Sequence, residues 1–460
     1  MVMSAVRLPR RAHARAASQP ACPAPITMTS NFDERGPVIK HFILMMFDNE
    51  RAPALRYPYY LMKFLIIGGG GREHAIAWRL VNEGHEVAAA PGNPGIGRIG
   101  AVLNTTDFLQ AAREFQPDVT VVGPEAPLVA GVVDEFRGKG LPIVGPVREQ
   151  ARLEGSKIYA KRFMAEAGIP TAQAVEAESA QAALRALQRF EYPVVVKADG
   201  LAGGKGVVIA QDRAEAASAI HRLGERFVIE QFLEGEEISF IALSDGRTVL
   251  PLEATQDHKR LYDGDRGPNT GGMGAYCDGR ILDQETARLI MNRIIEPLVG
   301  RTAFAGFLYA GLMMTQDGPK VLEFNVRLGD PETQALMHRM SGGFGEALAA
   351  AASGSLSGCR LEWRPEPSVC VVLAAHGYPG SVRTGDPISG IDEVEAEVFH
   401  AGTRLGARGL ETAGGRVLGV TARGPDLGSA IHNAYTAVSR IHFEGMQYRT
   451  DIGRKGLKRW

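Results

Sequence analysis

The chain has 460 residues, a length that suits three or four structural units at about 100 to 200 residues each. Lysine and arginine number 51 against 52 aspartates and glutamates, so the formal charge of −1 excludes the whole-chain basic field that would draw nucleic acid or an anionic membrane. The four cysteines, Cys22, Cys277, Cys359 and Cys370, lack the close spacing of a zinc motif or disulfide framework, and no apolar run approaches the roughly 20 residues that cross a bilayer.

Residues 1–61 stand apart in composition. Arg7, Arg10, Arg11 and Arg15 precede the first acid, Asp33, and Ala and Pro are frequent. That pattern fits an organelle transit peptide, or sequence upstream of the true start, with Met62 opening directly into a strand. The second reading is preferred, a cytoplasmic location is expected with it, and the extension is left out of the fold. From Lys63 the chain reads as strand Lys63 to Ile67, a glycine run, helix Glu73 to Glu83, strand Val87 to Ala90, and further strands at Val119 to Val122 and Ile143 to Val144. Helix-length stretches between them predict a parallel sheet with helices on both faces over 62 to about 160. Ligands of such sheets sit at the carboxyl ends of the strands, where the turns Gly92-Asn93-Pro94-Gly95 and Gly123-Pro124-Glu125-Ala126-Pro127 fall. Ordinary turn chemistry accounts for either turn equally well.

The glycine run Gly68-Gly69-Gly70-Gly71-Arg72-Glu73-His74 fails the dinucleotide fingerprint, which needs glycine at Glu73 or at His74. The second strand ends at Ala90-Pro91 without the acid that would hold a ribose hydroxyl, so a nicotinamide oxidoreductase is disfavoured. A phosphate at the helix N-terminus and tight packing of the turn remain equal alternatives.

A helix at Ser156 to Ala167, another near Ala180 to Phe190, and strands Pro193 to Val196, Val207 to Ile209 and Phe227 to Glu230 predict a small α+β lobe. Its first strand delivers Lys197 to the loop Ala198-Asp199-Gly200-Leu201-Ala202-Gly203-Gly204-Lys205-Gly206, a hairpin able to fold over nucleotide phosphates. A buried strand-end lysine is costly unless an anion meets it. Glu230-Gln231-Phe232-Leu233 offers a strand edge to an adenine rim, and Glu237 a carboxylate to ribose hydroxyls.

Glu237 to Leu243, Phe307 to Met314 and Val321 to Asn325 read as strands of a larger antiparallel sheet. The glycine-rich stretch from Gln256 through Asn269-Thr270-Gly271-Gly272-Met273-Gly274 is expected to be one long loop, with His258 a polar loop residue. Strand alternation places Glu323, Asn325 and Arg327 on one face, with Phe324 and Val326 on the other. Glu323 and Asn325 supply hard oxygen ligands suited to Mg²⁺, and Arg327 can hold developing negative charge. A third α/β segment begins near 359, with strand Val369 to Ala374 and helix Ser429 to Arg440.

These pieces, in this order, resemble the ATP-grasp superfamily and within it the phosphoribosylamine–glycine ligase family, from Met62 to about Gly456. Its most specific stretches here are Gly70 to Ala75, Leu153 to Lys157, Lys197 to Leu201, Asn269 to Gly274 and Gly329-Asp330-Pro331-Glu332-Thr333-Gln334. The resemblance implies an α/β and α+β multidomain protein: an N-terminal parallel-sheet (pre-ATP-grasp) domain at 62–161, an ATP-grasp domain at 162–358 with lobes at about 162–233 and 234–358, and a small C-terminal domain at 359–460. It implies ATP and Mg²⁺ (or Mn²⁺), and glycine and 5-phosphoribosylamine as the small-molecule partners. By it Lys157, Lys197 and Lys205 contact ATP phosphates, Glu230 to Leu233 the adenine, Glu237 the ribose, Glu323 and Asn325 the metal, and Arg327 the acyl phosphate. Gly92, Asn93, Pro94, Gly95, Glu125, Asp330, Pro331, Glu332 and Thr333 would face phosphoribosylamine, and Asn269, Thr270, Gly271 and Gly272 would lie near glycine. Gly203, often Ala in the family, and Leu328, often Phe, are small departures.

Overall fold

In a computed structural model of the protein the described residues are 61–460 apart from 202, 204 and 205. Lys205 and the extension before residue 61 thus lie outside them. No helix among the described residues is long and apolar enough to cross a membrane.

The first sheet consists of β1 (Lys63–Gly68), β2 (Glu86–Pro91), β3 (Ala101–Val102), β4 (Val119–Val122) and β5 (Ile143–Val144), all parallel and in the order β3-β2-β1-β4-β5. Its strands are apolar on consecutive residues because both faces are covered. Phe64 and Ile66 pack with Ala75, Ile76 and Leu80 of the helix Gly71–Asn82, whereas Leu65 and Ile67 pack with Phe115 and Phe136. The order reverses between β1 and β4, which opens a crevice at their carboxyl ends.

At that crevice the Glu73 carboxylate packs into the glycine run, accepting from Gly70 N at 2.5 Å and from Arg72 Nε at 2.6 Å. A Cβ on Gly123 would lie 1.9 Å from Glu73 Oε1, so only glycine lets the two turns close on this side chain.

A small antiparallel sheet follows, from β6 (Ala174–Ala177), β7 (Val194–Ala198), β8 (Val207–Ala210) and β9 (Phe227–Gln231), in the order β6-β9-β7-β8. The large sheet takes β10 (Glu236–Asp245), β11 (Val249–Pro251), β12 (Thr255–Asp257), then, beyond the separate hairpin β13 (Arg260–Tyr262) and β14 (Arg266–Asn269), β15 (Gly274–Cys277), β16 (Ala305–Thr315) and β17 (Gly318–Asn325). It continues without a break into β18 (Ser368–Ala374), β19 (Glu397–His400) and β20 (Arg416–Arg423), because Gly274 to Cys277 pair antiparallel with Val371 to Ser368. The C-terminal segment therefore shares one hydrogen-bonded sheet with the segment before it.

The long loop expected over 256–274 is corrected: it holds β12, the β13–β14 hairpin and the start of β15. Its glycines do not forbid pairing. Gly264 (φ +68°) and Gly272 (φ +112°) instead supply the left-handed backbone at the bends between strands.

Several histidines are buried in neutral form, and they join distant segments. His74 Nδ1 accepts from His400 N at 2.8 Å. Burial lowers His74, His258 and His338 to about 3, and His400 to about 4. With folded values below the ordinary value near 6.5, the unfolded chain binds more protons between about 6.5 and 3, so the contribution is complete above 6.5 and is lost as pH falls. Thermal melts from pH 7 to pH 4.5 should show a falling midpoint, and His74→Gln should flatten that slope; an unchanged slope would count against the linkage.

Candidate active site

Between the small sheet and the large one lies a cavity of about 1090 Å³ that reaches the crevice of the first sheet and is closed in part by the C-terminal segment. Most of the side chains singled out by sequence line it: Lys157, Lys197, Glu230 to Leu233 and Glu237, Glu323, Asn325 and Arg327, with Glu125, Asn269 to Gly271, Asp330 and Glu332. Gly272, Pro331 and Thr333 stand immediately behind that wall.

The strand β7 is buried along its length and carries Lys197 to its end, 6 % exposed. Its Nζ lies 3.0 Å from Glu230 Oε2 and donates to Leu322 O at 2.8 Å. Glu230, 2 % exposed on β9, also meets Lys161 Nζ at 3.2 Å through its other oxygen. The Glu230 side chain thus turns towards the lysines, and only its backbone belongs to the strand edge. Burial, with Lys197 nearby, brings the Lys161 ammonium down to about 8 against the pull of Glu230. Lys161 was not singled out by sequence, yet it follows Lys157 by four residues on the helix Lys157–Ala167 and so shares its face. Lys157 Nζ donates to Gly200 O at 2.8 Å.

β17 ends at Asn325, so Arg327 lies past the strand rather than on it. It returns to the same face because its guanidinium is held there. Nη2 donates to Glu154 Oε1 at 2.8 Å and to Asn325 Oδ1 at 3.3 Å, and Nε lies 3.3 Å from Glu125 Oε2. The other oxygen of Glu154 accepts from Val326 N at 2.8 Å. Phe324 and Val326 are buried on the opposite side, as the alternation requires. Glu323 stays ionised: burial opposes its charge, but Lys259, Lys197, Lys157 and Arg327 together hold it at about 2. Lys259 Nζ is 3.7 Å from Glu323 Oε1 and also bonds Glu237.

The C-terminal segment adds groups with no local sequence signal. Arg416 Nη1 donates to Asp330 O at 2.6 Å and to Gly271 O at 2.5 Å, and its Nη2 is 3.1 Å from Asp330 Oδ2. Tyr378 OH accepts from Gly271 N at 2.9 Å. Glu332 accepts from Tyr309 OH at 2.7 Å and from Ser239 Oγ at 3.1 Å.

The turn Gly92 to Gly95 departs from the expectation. It does not line the cavity, and Asn93, 7 % exposed, spends its amide on Gly69 O at 3.0 Å and His400 O at 2.8 Å. Gly95 packs so closely on His74 and His400 that a Cβ would lie 2.3 Å from the first ring. His258 is buried outside the cavity, 3.2 Å from Gly274 O, and has no place in the chemistry.

Three domain families match in succession: the Phosphoribosylglycinamide synthetase N domain over residues 62–154, its ATP-grasp (A) domain over 155–333 and its C domain over 368–455. A phosphoribosylamine–glycine ligase of Allochromatium vinosum is 48 % identical over 425 residues, covering 86 % of this chain and 99 % of the relative. One of Streptomyces coelicolor is 48 % identical over 415 residues, with 86 % and 99 % covered. The crystal structure of phosphoribosylamine–glycine ligase from Thermotoga maritima superposes with a TM-score of 0.74 at 36 % identity, covering 85 % of this chain and 100 % of that one. A biotin carboxylase domain of the Hydrogenobacter thermophilus 2-oxoglutarate carboxylase, 16 % identical with a TM-score of 0.65 and 84 % and 92 % covered, shares the fold.

Proposed function

The chain belongs to the phosphoribosylglycinamide synthetase family, and from that premise we propose which of its residues carry the ligation. It is a phosphoribosylamine–glycine ligase, an ATP-using enzyme of purine biosynthesis that forms a C–N bond. Glycine's carboxylate attacks the γ-phosphorus of ATP, giving glycyl phosphate and ADP. The neutral amine of 5-phosphoribosylamine then attacks the acyl carbon, phosphate leaves with the bonding pair, and the amine proton is lost to give glycinamide ribonucleotide.

Lys157, Lys197 and Lys205 meet the phosphates of ATP. Glu230 acts through Lys197 by orienting its ammonium, while Gln231, Phe232 and Leu233 take the adenine and Glu237 the ribose. Glu323 and Asn325 hold the divalent ion, Mg²⁺ by the chemistry of the donors: both are hard oxygens, and Glu323 remains a carboxylate at neutral pH. When bound, the ion would supply positive charge against the phosphate oxygens. Arg327, steadied by Glu154, faces the acyl phosphate oxygens. Glu125 and Asp330 to Thr333, on and behind the wall towards the first sheet, serve phosphoribosylamine, and Asn269 to Gly272 close over glycine. On this division the first sheet, with Asp330 to Thr333, presents phosphoribosylamine, the segment from Lys157 to Asn325 holds the nucleotide, and 359–460 closes the site through Arg416 and Tyr378.

The observation that carries the reading is the convergence of Lys197, Glu323 and Arg327 on one cavity. ADP release from ATP should require glycine and phosphoribosylamine generated in place, with formate and bicarbonate inactive in glycine's stead. Chelation with EDTA should abolish it and Mg²⁺ restore it; turnover with formate, or turnover that survives chelation, would refute the assignment.

A further inference from the structure

A second cluster of metal-ligating groups lies at the end of the first sheet opposite the crevice. His85 stands immediately before β2, whose six residues, roughly 20 Å of strand, separate it from that crevice. Its side chain is 8 % exposed, and its Nε2 is buried with no hydrogen-bond partner. A buried polar atom left unpaired is costly. Around the ring stand Glu83, which follows the helix Gly71–Asn82, and Glu346, on the first turn of the helix Phe344–Ser353. A carboxylate oxygen of each and a ring nitrogen of His85 lie within 4.8 Å of one another. None of the three residues lines the cavity.

Two distant segments build this arrangement. Glu83 accepts from Phe344 N at 3.2 Å and from Gly345 N at 2.8 Å, and so fastens the end of one helix to the start of the other. A Cβ on Gly345 would lie 2.2 Å from His85 Nε2, so only glycine lets the ring nitrogen settle on that first turn, beside the amide that Glu83 holds. Glu83 Oε2 accepts this one amide and keeps a lone pair. Among the described residues Arg79 Nε, 3.4 Å from Glu83 Oε1, is the only cationic group within 4.0 Å of either carboxylate. Two negative charges therefore face one positive charge, while the two helix ends bring opposite dipoles that offset each other. Burial holds the imidazole below its ordinary value, so at pH 7 the ring is neutral and has a lone pair to give.

We propose that Glu83, His85 and Glu346 bind one divalent ion of the Zn²⁺ class, separate from the ion held by Glu323 and Asn325. One imidazole nitrogen with two carboxylate oxygens suits Zn²⁺, whereas Mg²⁺ takes oxygen donors. Tetrahedral coordination sets donors roughly 3.3 Å apart. The exposed Glu346 side chain supplies the closing movement and leaves the fourth position to water. Ligation by Nε2 puts the ring proton on Nδ1 and gives up its contact with Met62 N, which at 3.5 Å is at the limit of a hydrogen bond. The ion clamps the first sheet to the helix Phe344–Ser353 and takes no part in the ligation.

The test is calorimetric titration of EDTA-stripped protein with Zn²⁺, in excess Mg²⁺ so that sites made of oxygen alone are filled. One equivalent should bind and raise the thermal midpoint, and crystals soaked in Zn²⁺ should show an anomalous peak between the three side chains. Glu346→Gln, at an exposed position, should weaken binding roughly a hundredfold or more, since losses even in the outer shell of a metal site reach about 10- to 100-fold. Its glycine-dependent ADP release in Mg²⁺ should be unchanged. His85→Gln should weaken binding as much; if that buried variant fails to fold, Glu346→Gln decides alone. A wild-type protein that takes up no Zn²⁺ would overturn the inference and leave Nε2–H to share its proton with the carboxylates. Uptake undiminished in Glu346→Gln would overturn it as well.

Discussion

Lys197→Ala should lower glycine-dependent ADP release by roughly a hundredfold or more, the scale for removing one preorganised electrostatic donor, and should leave the protein folded. Lys197 is buried at a strand end, with its ammonium bonded to Glu230 Oε2 and to Leu322 O. Loss of a partner normally strands the buried charge that remains. Here Glu230 keeps Lys161, at 3.2 Å from its other oxygen, so the variant retains one cation for one carboxylate. Steady-state turnover and a thermal melt together check this. Near-normal turnover would take Lys197 out of the phosphate chemistry, whereas a collapsed melting midpoint would show that Lys161 alone cannot satisfy Glu230.

Arg327→Met should cost both activity and stability. The methionine keeps much of the volume but leaves Glu154 buried and without its cation, a loss of about 3 to 5 kcal/mol. Glu154 already titrates above the usual range because of burial, with Arg327 the main opposing influence. Removing Arg327 moves it further up. An acid whose folded value lies above its unfolded one binds more protons in the folded state, so the deficit of the variant should shrink as pH falls towards 5. The double variant Arg327→Met/Glu154→Gln should recover most of the stability, since glutamine still accepts from Val326 N, and should recover none of the turnover. Denaturant unfolding of both at pH 7 and pH 5.5, beside ADP release, separates the two roles. Turnover restored in the double variant would show that Arg327 serves only to neutralise Glu154.

The strands and helices that carry the site were largely readable from sequence. Apolar runs at β1, β4, β7 and β18, and the alternation across Glu323 to Val326, are short-range patterns that burial on both faces or on one face imposes directly. The chemistry-bearing residues Lys197, Glu323 and Asn325 could be named for the same reason, since each sits at a strand end or on a strand face whose neighbours declare its direction. The family motifs then joined them to one reaction. Where local composition misled, as over 256–274, the glycines marked the bends of paired strands and not their absence.

What local pattern could not supply is what each side chain meets. Arg327 finds Glu154 across 173 positions and Asp330 finds Arg416 across 86. The pairing of β15 with β18 carries one sheet through both segments. Asn93, which looked like a ligand contact, is spent on the backbone of a distant turn. Period and propensity act over a few residues, but the energy of a buried charge depends on which opposite charge the fold brings within reach. The sequence by itself therefore determined the main elements, the family and the reactive side chains; only the tertiary structure decided which of those charges are neutralised from within.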